Sequence, residues 1–291
     1  MLEPRPVLYH YTSFSALKGI LGSRALWATD ICCLNDAAEY RYAVNAVVAR
    51  IAEVKHSGEV DAFEGKALDK LADMFVEGET PEVFVFSLSE NGDLLSQWRA
   101  YSAGSNVAIG FHTERLAAIA EKSRFGLYPC EYDIIRQKTQ ITGFVSFSLE
   151  VMRANRQPAD QPENLIRRGA FTKIWREFIQ FAPLHKHPAF SEEAEWRLVS
   201  FDEVGISPAR RVRIAREALI PYFELAIEEP LKDRGTGGHQ WKHELPLSRI
   251  VVGPSQDPYL AQRSTRVAFY SSGVPLAHFE NSKVPLRVSG P

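Results

Sequence analysis

Residues 193–201 read EAEWRLVSF, and this alternation of charged or polar with apolar side chains has the period of two that a half-buried strand requires. The stretch is therefore predicted as a strand with Glu193, Glu195 and Arg197 on one face and Ala194, Trp196 and Leu198 on the other. Working outward, residues 83–89, VFVFSLS, predict a second strand, with Ser87 and Ser89 opposite Phe86 and Leu88. Residues 7–12, VLYHYT, predict a third, with Leu8, His10 and Thr12 on one side and Tyr9 and Tyr11 on the other.

Helix signals separate these strands. Ser13 is placed to cap a short helix carrying Phe14, Leu17, Ile20 and Leu21, stopped by Gly22. Residues 25–30, ALWATD, form another short strand, and Asn35 or Asp36 with Glu39 forms a capping box that opens a long helix. LLSQWRAYSAG reads as a helix ended by Gly104, NVAIGF as a strand, and about 113–122 as a helix. Further on come the strand RIVVGP, a helix at about 257–271 and a final strand near VPLRV. Interleaving of this kind predicts an α+β fold, a mixed β core with flanking helices. The expected organisation is one domain with its core at 5–122 and 184–202. The turn-rich RQPADQPEN marks 123–183 as a helical insertion, and 203–291 as a C-terminal αβ extension.

Composition narrows the function classes. The 291 residues are 45% apolar and 24% charged, with a formal net charge of -2, which excludes disorder and argues against a protein that coats nucleic acid through bulk charge. Cys32, Cys33 and Cys130 are too few and too badly spaced for a disulfide framework or a tetrahedral metal site. The opening MLEPRPVLYH lacks the basic and apolar regions of a signal peptide, and no apolar run approaches ~18 residues, so a cytoplasmic protein that does not contact membrane is expected. Neither a G-x-G-x-x-G nor a P-loop is present, which argues against a Rossmann dehydrogenase or an NTPase.

Two segments are locally basic. Residues 151–183 carry a formal +3, and Arg210, Arg211, Arg213 and Arg216 cluster with no acid between 205 and 216. Near a site, such residues grip a nucleic-acid backbone or a pyrophosphate. His185 with His187, and His239 with His243, have ligand-like spacing but no companion Cys or carboxylate at convincing spacing, so no metal is expected. Trp98 and Trp196 are read as core.

Taken together, YHYTSFSALKGILGSRALWATD, LNDAAEY, FSLSENGDLLSQWRAYS, KHPAFSEEAEWRLV and IVVGP resemble a widespread bacterial family known only as a domain of unknown function. The order of a His-bearing strand, a Ser-x-Ser strand and a strand beginning Glu-x-Glu is also similar to the ADP-ribosyltransferase superfamily, whose members use NAD as a substrate. That resemblance implies an ADP-ribosyltransferase-like fold and transfer of ADP-ribose to a protein, nucleic acid or small molecule, with release of nicotinamide. Glu195 becomes the catalytic carboxylate that holds the nicotinamide-ribose hydroxyl, and Glu193 the group that activates the nucleophile. His10, Tyr11 and Thr12, with Ser87, Ser89 and Tyr101, become NAD-binding residues. A toxin or anti-phage setting is in keeping with the resemblance, although the residues do not supply it. The chemistry itself asks for such a set: cleaving the nicotinamide-ribose bond develops an oxocarbenium-like charge that a carboxylate stabilises. Arg197 lies near enough to keep Glu195 ionised. Alternatives from other classes are NAD glycohydrolysis, in which water intercepts the same cation, and a non-catalytic module that binds a nucleotide or a partner.

Overall fold

A computed structural model describes residues 7–34, 37–77, 83–100, 106–157, 161–200, 209–215, 218–231, 241–275 and 278–285. In chain order the elements are β1 (Val7–Ser13), α1 (Phe14–Ser23), β2 (Ala25–Asp30), α2 (Ala37–His56), α3 (Ala62–Glu77), β3 (Phe84–Ser89) and α4 (Leu95–Ala100). There follow β4 (Asn106–His112), α5 (Thr113–Lys122), β5 (Phe125–Pro129), α6 (Ile134–Asn155), α7 (Pro162–Arg167), α8 (Ala170–Phe181) and β6 (Glu195–Ser200). The chain closes with β7 (Arg210–Ala215), β8 (Ala218–Ala226), β9 (Leu247–Val252), α9 (Pro258–Ser272) and β10 (His278–Asn281).

The strands form one mixed sheet in the order β10-β9-β4-β1-β3-β2-β8-β7, with β6 on the other edge of β3 and β5 outside β6. All pairs are antiparallel except β9 with β10. Two expectations need correction. Residues 123–183 are not wholly helical, because β5 joins the sheet through β6. The last described strand lies at 278–281, ahead of the VPLRV stretch, most of which falls outside the described residues.

Local chemistry sets the element ends. The Ser13 hydroxyl accepts from the Ala16 N–H at 3.1 Å and caps α1, which runs through Gly22 and stops where Arg24 turns left-handed, φ 56°. Asp133 caps the 22-residue α6 by accepting from Ile135 and Arg136. The capping box expected at 35–39 rests on Asn35 and Asp36, which lie outside the described residues. Gly110 sits at a register shift between β4 and β9, where a Cβ would stand 2.9 Å from Val7 and from Arg249, so only glycine lets the strands close.

Helices cover both faces of the sheet. On one, α1, α5 and α9 pack over Leu8, Phe84, Phe86, Leu88 and Leu198. On the other, α2, α3, α6 and α8 build a second core around Phe75, Phe144 and Phe178, and this core reaches the sheet at Val85 and Val199. A small third cluster, Tyr11 with Trp98 of α4, Ala108 and Val251, lies on the same face as the second. Each fully buried large apolar side chain contributes about 1.5–3 kcal/mol, so these clusters outweigh the surface ion pairs in holding the layers together. The second face is thus apolar at two places with a polar gap between them.

Candidate functional site

The gap follows from how β1 and β2 share an edge of β3. β2 pairs with its beginning, Thr29 opposite Val85, and β1 with its end, Tyr9 opposite Ser89. Between those contacts β1 turns away, and a cleft of about 440 Å³ opens, within the size range of small-ligand sites. Register partners share a face, so Val85 with Val199, Ser87 with Arg197, and Ser89 with Glu195 are successive pairs on one face of β3 and β6. The first pair is covered by the helical core. The next two line the cleft.

At its floor Glu195 is buried and doubly held. Arg197 donates from Nε to Oε1 at 2.8 Å and from Nη2 to Oε2 at 3.1 Å, and it is anchored in turn by donating to the Pro183 carbonyl at 2.7 Å. The Lys186 ammonium donates to Glu195 and also to Glu193, joining the two carboxylates. Burial alone would push the Glu195 carboxyl up, but Arg197 and then Lys186 outweigh it and hold the group at about 2, against an ordinary 4.5. This carboxylate stays ionised throughout the physiological range.

Glu193 does not sit on the strand face expected for it. It ends a 3₁₀ turn over Pro188–Glu193, Ala194 takes a left-handed φ of 41°, and the strand begins only at Glu195. The turn nevertheless leaves the Glu193 carboxylate in the cleft, more exposed than Glu195.

His10 is also placed differently. By the β1–β3 register it projects from the face opposite Ser87, Ser89 and Glu195, its ring packed 4.2 Å from that of Phe86. Its edge still reaches the cleft, where Nδ1–H donates to the Ser87 carbonyl at 2.9 Å. The imidazole thereby satisfies a strand carbonyl at the place where the ladder between β1 and β3 has parted. Burial, opposed by that hydrogen bond, lowers it to about 4 from 6.5, so the ring is neutral and Nε2 is an acceptor.

The remaining expected residues divide. The Ser89 hydroxyl is committed to the backbone: it donates to the Glu193 carbonyl at 2.7 Å and accepts from the Asn91 N–H at 3.1 Å. Tyr11 is equally committed, donating to the Asn91 carbonyl at 2.8 Å and accepting from the Leu94 N–H at 2.9 Å. Thr12 and Ser87 line the cleft half-buried, with no hydrogen-bond partner for either hydroxyl among the described residues. Tyr101 lies outside the described residues.

Lys186 is the functional residue the sequence reading missed. It stands between the two histidines weighed as ligands, and nothing in LHKHPAF separates it from a surface lysine. The helical insertion places it. Gln137 of α6 donates to the carbonyls of Lys186 and Glu131 at 2.8 and 2.6 Å, and Tyr42 of α2 donates to Gln137 at 2.9 Å. His185 hydrogen-bonds to Gln140 at 2.6 Å, and His187 accepts from the Ala189 N–H at 3.1 Å. Among the described residues no group of three His, Cys, Asp or Glu side chains is placed to hold a metal ion.

Three cations, Lys186, Arg197 and Arg213, face two carboxylates in this cleft, which suits an anionic organic ligand. The family described as protein of unknown function, DUF2971, matches residues 97–198. The match takes in Lys186, Glu193, Glu195 and Arg197 and leaves out β1, β2 and β3, which form the other wall. No curated protein and no solved structure matches the chain, and nothing links the family match to the ADP-ribosyltransferase superfamily. Among the described residues no helix is long and apolar enough to cross a membrane.

Proposed function

We propose that the cleft binds NAD and transfers its ADP-ribose to an acceptor, releasing nicotinamide. The observation that carries this reading is Glu195, a buried carboxylate held ionised at the floor of a cleft formed by parting strands. As the bond between ribose C1′ and the nicotinamide nitrogen breaks, its electron pair leaves with neutral nicotinamide and positive charge develops on the ribose. A fixed anion beneath the ring stabilises that charge without having to reorganise. Arg197 and Lys186 orient Glu195, which accepts a hydrogen bond from the neighbouring ribose hydroxyl. The more exposed Glu193 takes the proton of the attacking acceptor as its oxygen or nitrogen bonds to C1′. The Ser87 hydroxyl supplies a hydrogen bond to the ribose, and neutral His10 steadies the Ser87 backbone through its carbonyl.

The test is nicotinamide release from NAD, followed with and without cell extract as acceptor. Release that depends on acceptor, abolished in Glu195→Gln, supports transfer; release into water alone identifies a glycohydrolase; no release at saturating NAD removes the catalytic reading. A second reading, a nucleotide-binding module without catalysis, is favoured by one observation: Glu195 already has a cation on each carboxylate oxygen. Binding of NAD without turnover distinguishes it.

A further inference from the structure

The basic run at 210–216 does not act as one patch. Arg211 extends toward solvent and pairs with Glu224 at 2.7 Å, and Arg216 lies outside the described residues. Arg213 behaves differently: it turns into the cleft, donates from Nη2 to Thr29 Oγ1 at 3.1 Å, and makes no ion pair among the described residues. Its Nε is buried with no hydrogen-bond partner. A guanidinium held by a neutral hydroxyl, partly desolvated and without a counter-ion among the described residues, is a poor structural device and a good receptor for an anion.

The neighbouring surface says which kind of anion. Trp27 and Thr29 lie two residues apart on β2, hence on one face and roughly 6–7 Å from one another along the strand. Trp27 rests on Tyr222, ring centroids 4.6 Å apart, yet it is 45% exposed and lines the same cleft. An exposed indole one strand repeat from the threonine that holds this guanidinium sets a flat apolar face beside a cation, the two surfaces that the base and the phosphate of a nucleotide require. From Thr29 the same face runs through Val85 and Ser87 to Glu195.

We infer that Arg213 and Trp27 form the recognition end of the cleft, Arg213 taking the phosphate and Trp27 the base of a nucleoside diphosphate. The ligand then lies across β3, with its phosphates near Thr29 and its far end toward Glu195. This inference rests on the reading of the cleft as a nucleotide site, and it does not require that the site cleave anything.

Calorimetric titration of the full chain with ADP, inorganic pyrophosphate and adenosine tests it. ADP binding is expected in the wild type and weaker by about tenfold or more in Arg213→Met, with partial recovery in Arg213→Lys. Adenosine binding, which lacks the charge, is expected to be unchanged in Arg213→Met and lost in Trp27→Leu, while pyrophosphate shows the reverse pattern. Thermal melts of each variant separate loss of the fold from loss of the ligand. Equal ADP affinity in Arg213→Met and wild type, or no ADP binding by the wild type, overturns the inference. Nicotinamide release measured on the same samples keeps the two claims apart: ADP binding through Arg213 without turnover leaves the inference standing and removes the transferase, and turnover with an unchanged KM for NAD in Arg213→Met does the opposite.

Discussion

Glu195 and Arg197, two residues apart on β6, meet through two hydrogen bonds of 2.8 and 3.1 Å below the surface of the cleft. Side chains at i and i+2 share a strand face, so the strand itself brings this acid and this base together, while Lys186 joins them from the segment before β6.

Removing Arg197 takes two hydrogen bonds from the buried Glu195 carboxylate and one from the Pro183 carbonyl, leaving Lys186 as the remaining cation on Glu195 among the described residues. Arg197→Leu is expected to lower unfolding free energy by about 3–5 kcal/mol in urea titration. Lys186→Met leaves Glu195 still paired with Arg197, so a smaller loss is expected together with failure of nicotinamide release. An Arg197→Leu protein as stable as wild type would show that the pair is dispensable to the fold.

The same pair sets an acid limit. Because the folded-state value of Glu195, about 2, is below the ordinary 4.5, its contribution is complete above the unfolded value and disappears as pH falls through about 4.5 to 2. The shift corresponds to roughly 3 kcal/mol. Glu195→Gln should therefore be less stable than wild type at neutral pH, with the gap closing toward pH 2. A constant gap across that range contradicts the assignment.

His10 weakens the fold in the same direction, toward acid, but here the neutral form is the folded one. Its value falls from 6.5 to about 4 on folding, so its contribution is present above about 6.5 and is lost as pH drops toward 4. His10→Gln keeps a donor for the Ser87 carbonyl and should flatten the part of the stability profile due to this residue. Since neither His10 nor Glu195 changes charge between about pH 5 and 8, nicotinamide release should show no inflection from either there. An inflection in that range that vanishes in His10→Gln sinks this account of its tautomer.

Tyr11 and Gly92 hold the cleft's rim. Tyr11→Phe strands the Leu94 N–H and the Asn91 carbonyl and is expected to cost about 1–3 kcal/mol in thermal or urea unfolding. Gly92 faces the ring of Tyr9, where a Cβ would come within 2.4 Å, so Gly92→Ala should displace that ring and lower the melting temperature. Wild-type melting in both variants refutes the clamp.

Period and capping carried much of the fold from sequence. Strands at Val7–Ser13, Ala25–Asp30 and Phe84–Ser89, the Ser13 cap and the helix Thr113–Lys122 follow from local side-chain chemistry that each segment carries with it. The closeness of Glu195 to Arg197 was legible for the same reason. Face assignment across strands was not, because alternation fixes faces only within a strand: β1 meets β3 at Tyr9, and that register turns His10 away from Ser87 and Glu195. Where EAEWRLVSF begins to be a strand was also beyond reach, since the left-handed Ala194 ends a turn that proline-containing residues upstream impose. Lys186 enters the site because Glu131 and Gln137, far away in sequence, hold its backbone. Local order came from the residues themselves; the cleft came from where two strands part on the edge of a third, a relation between distant segments that no single one of them encodes.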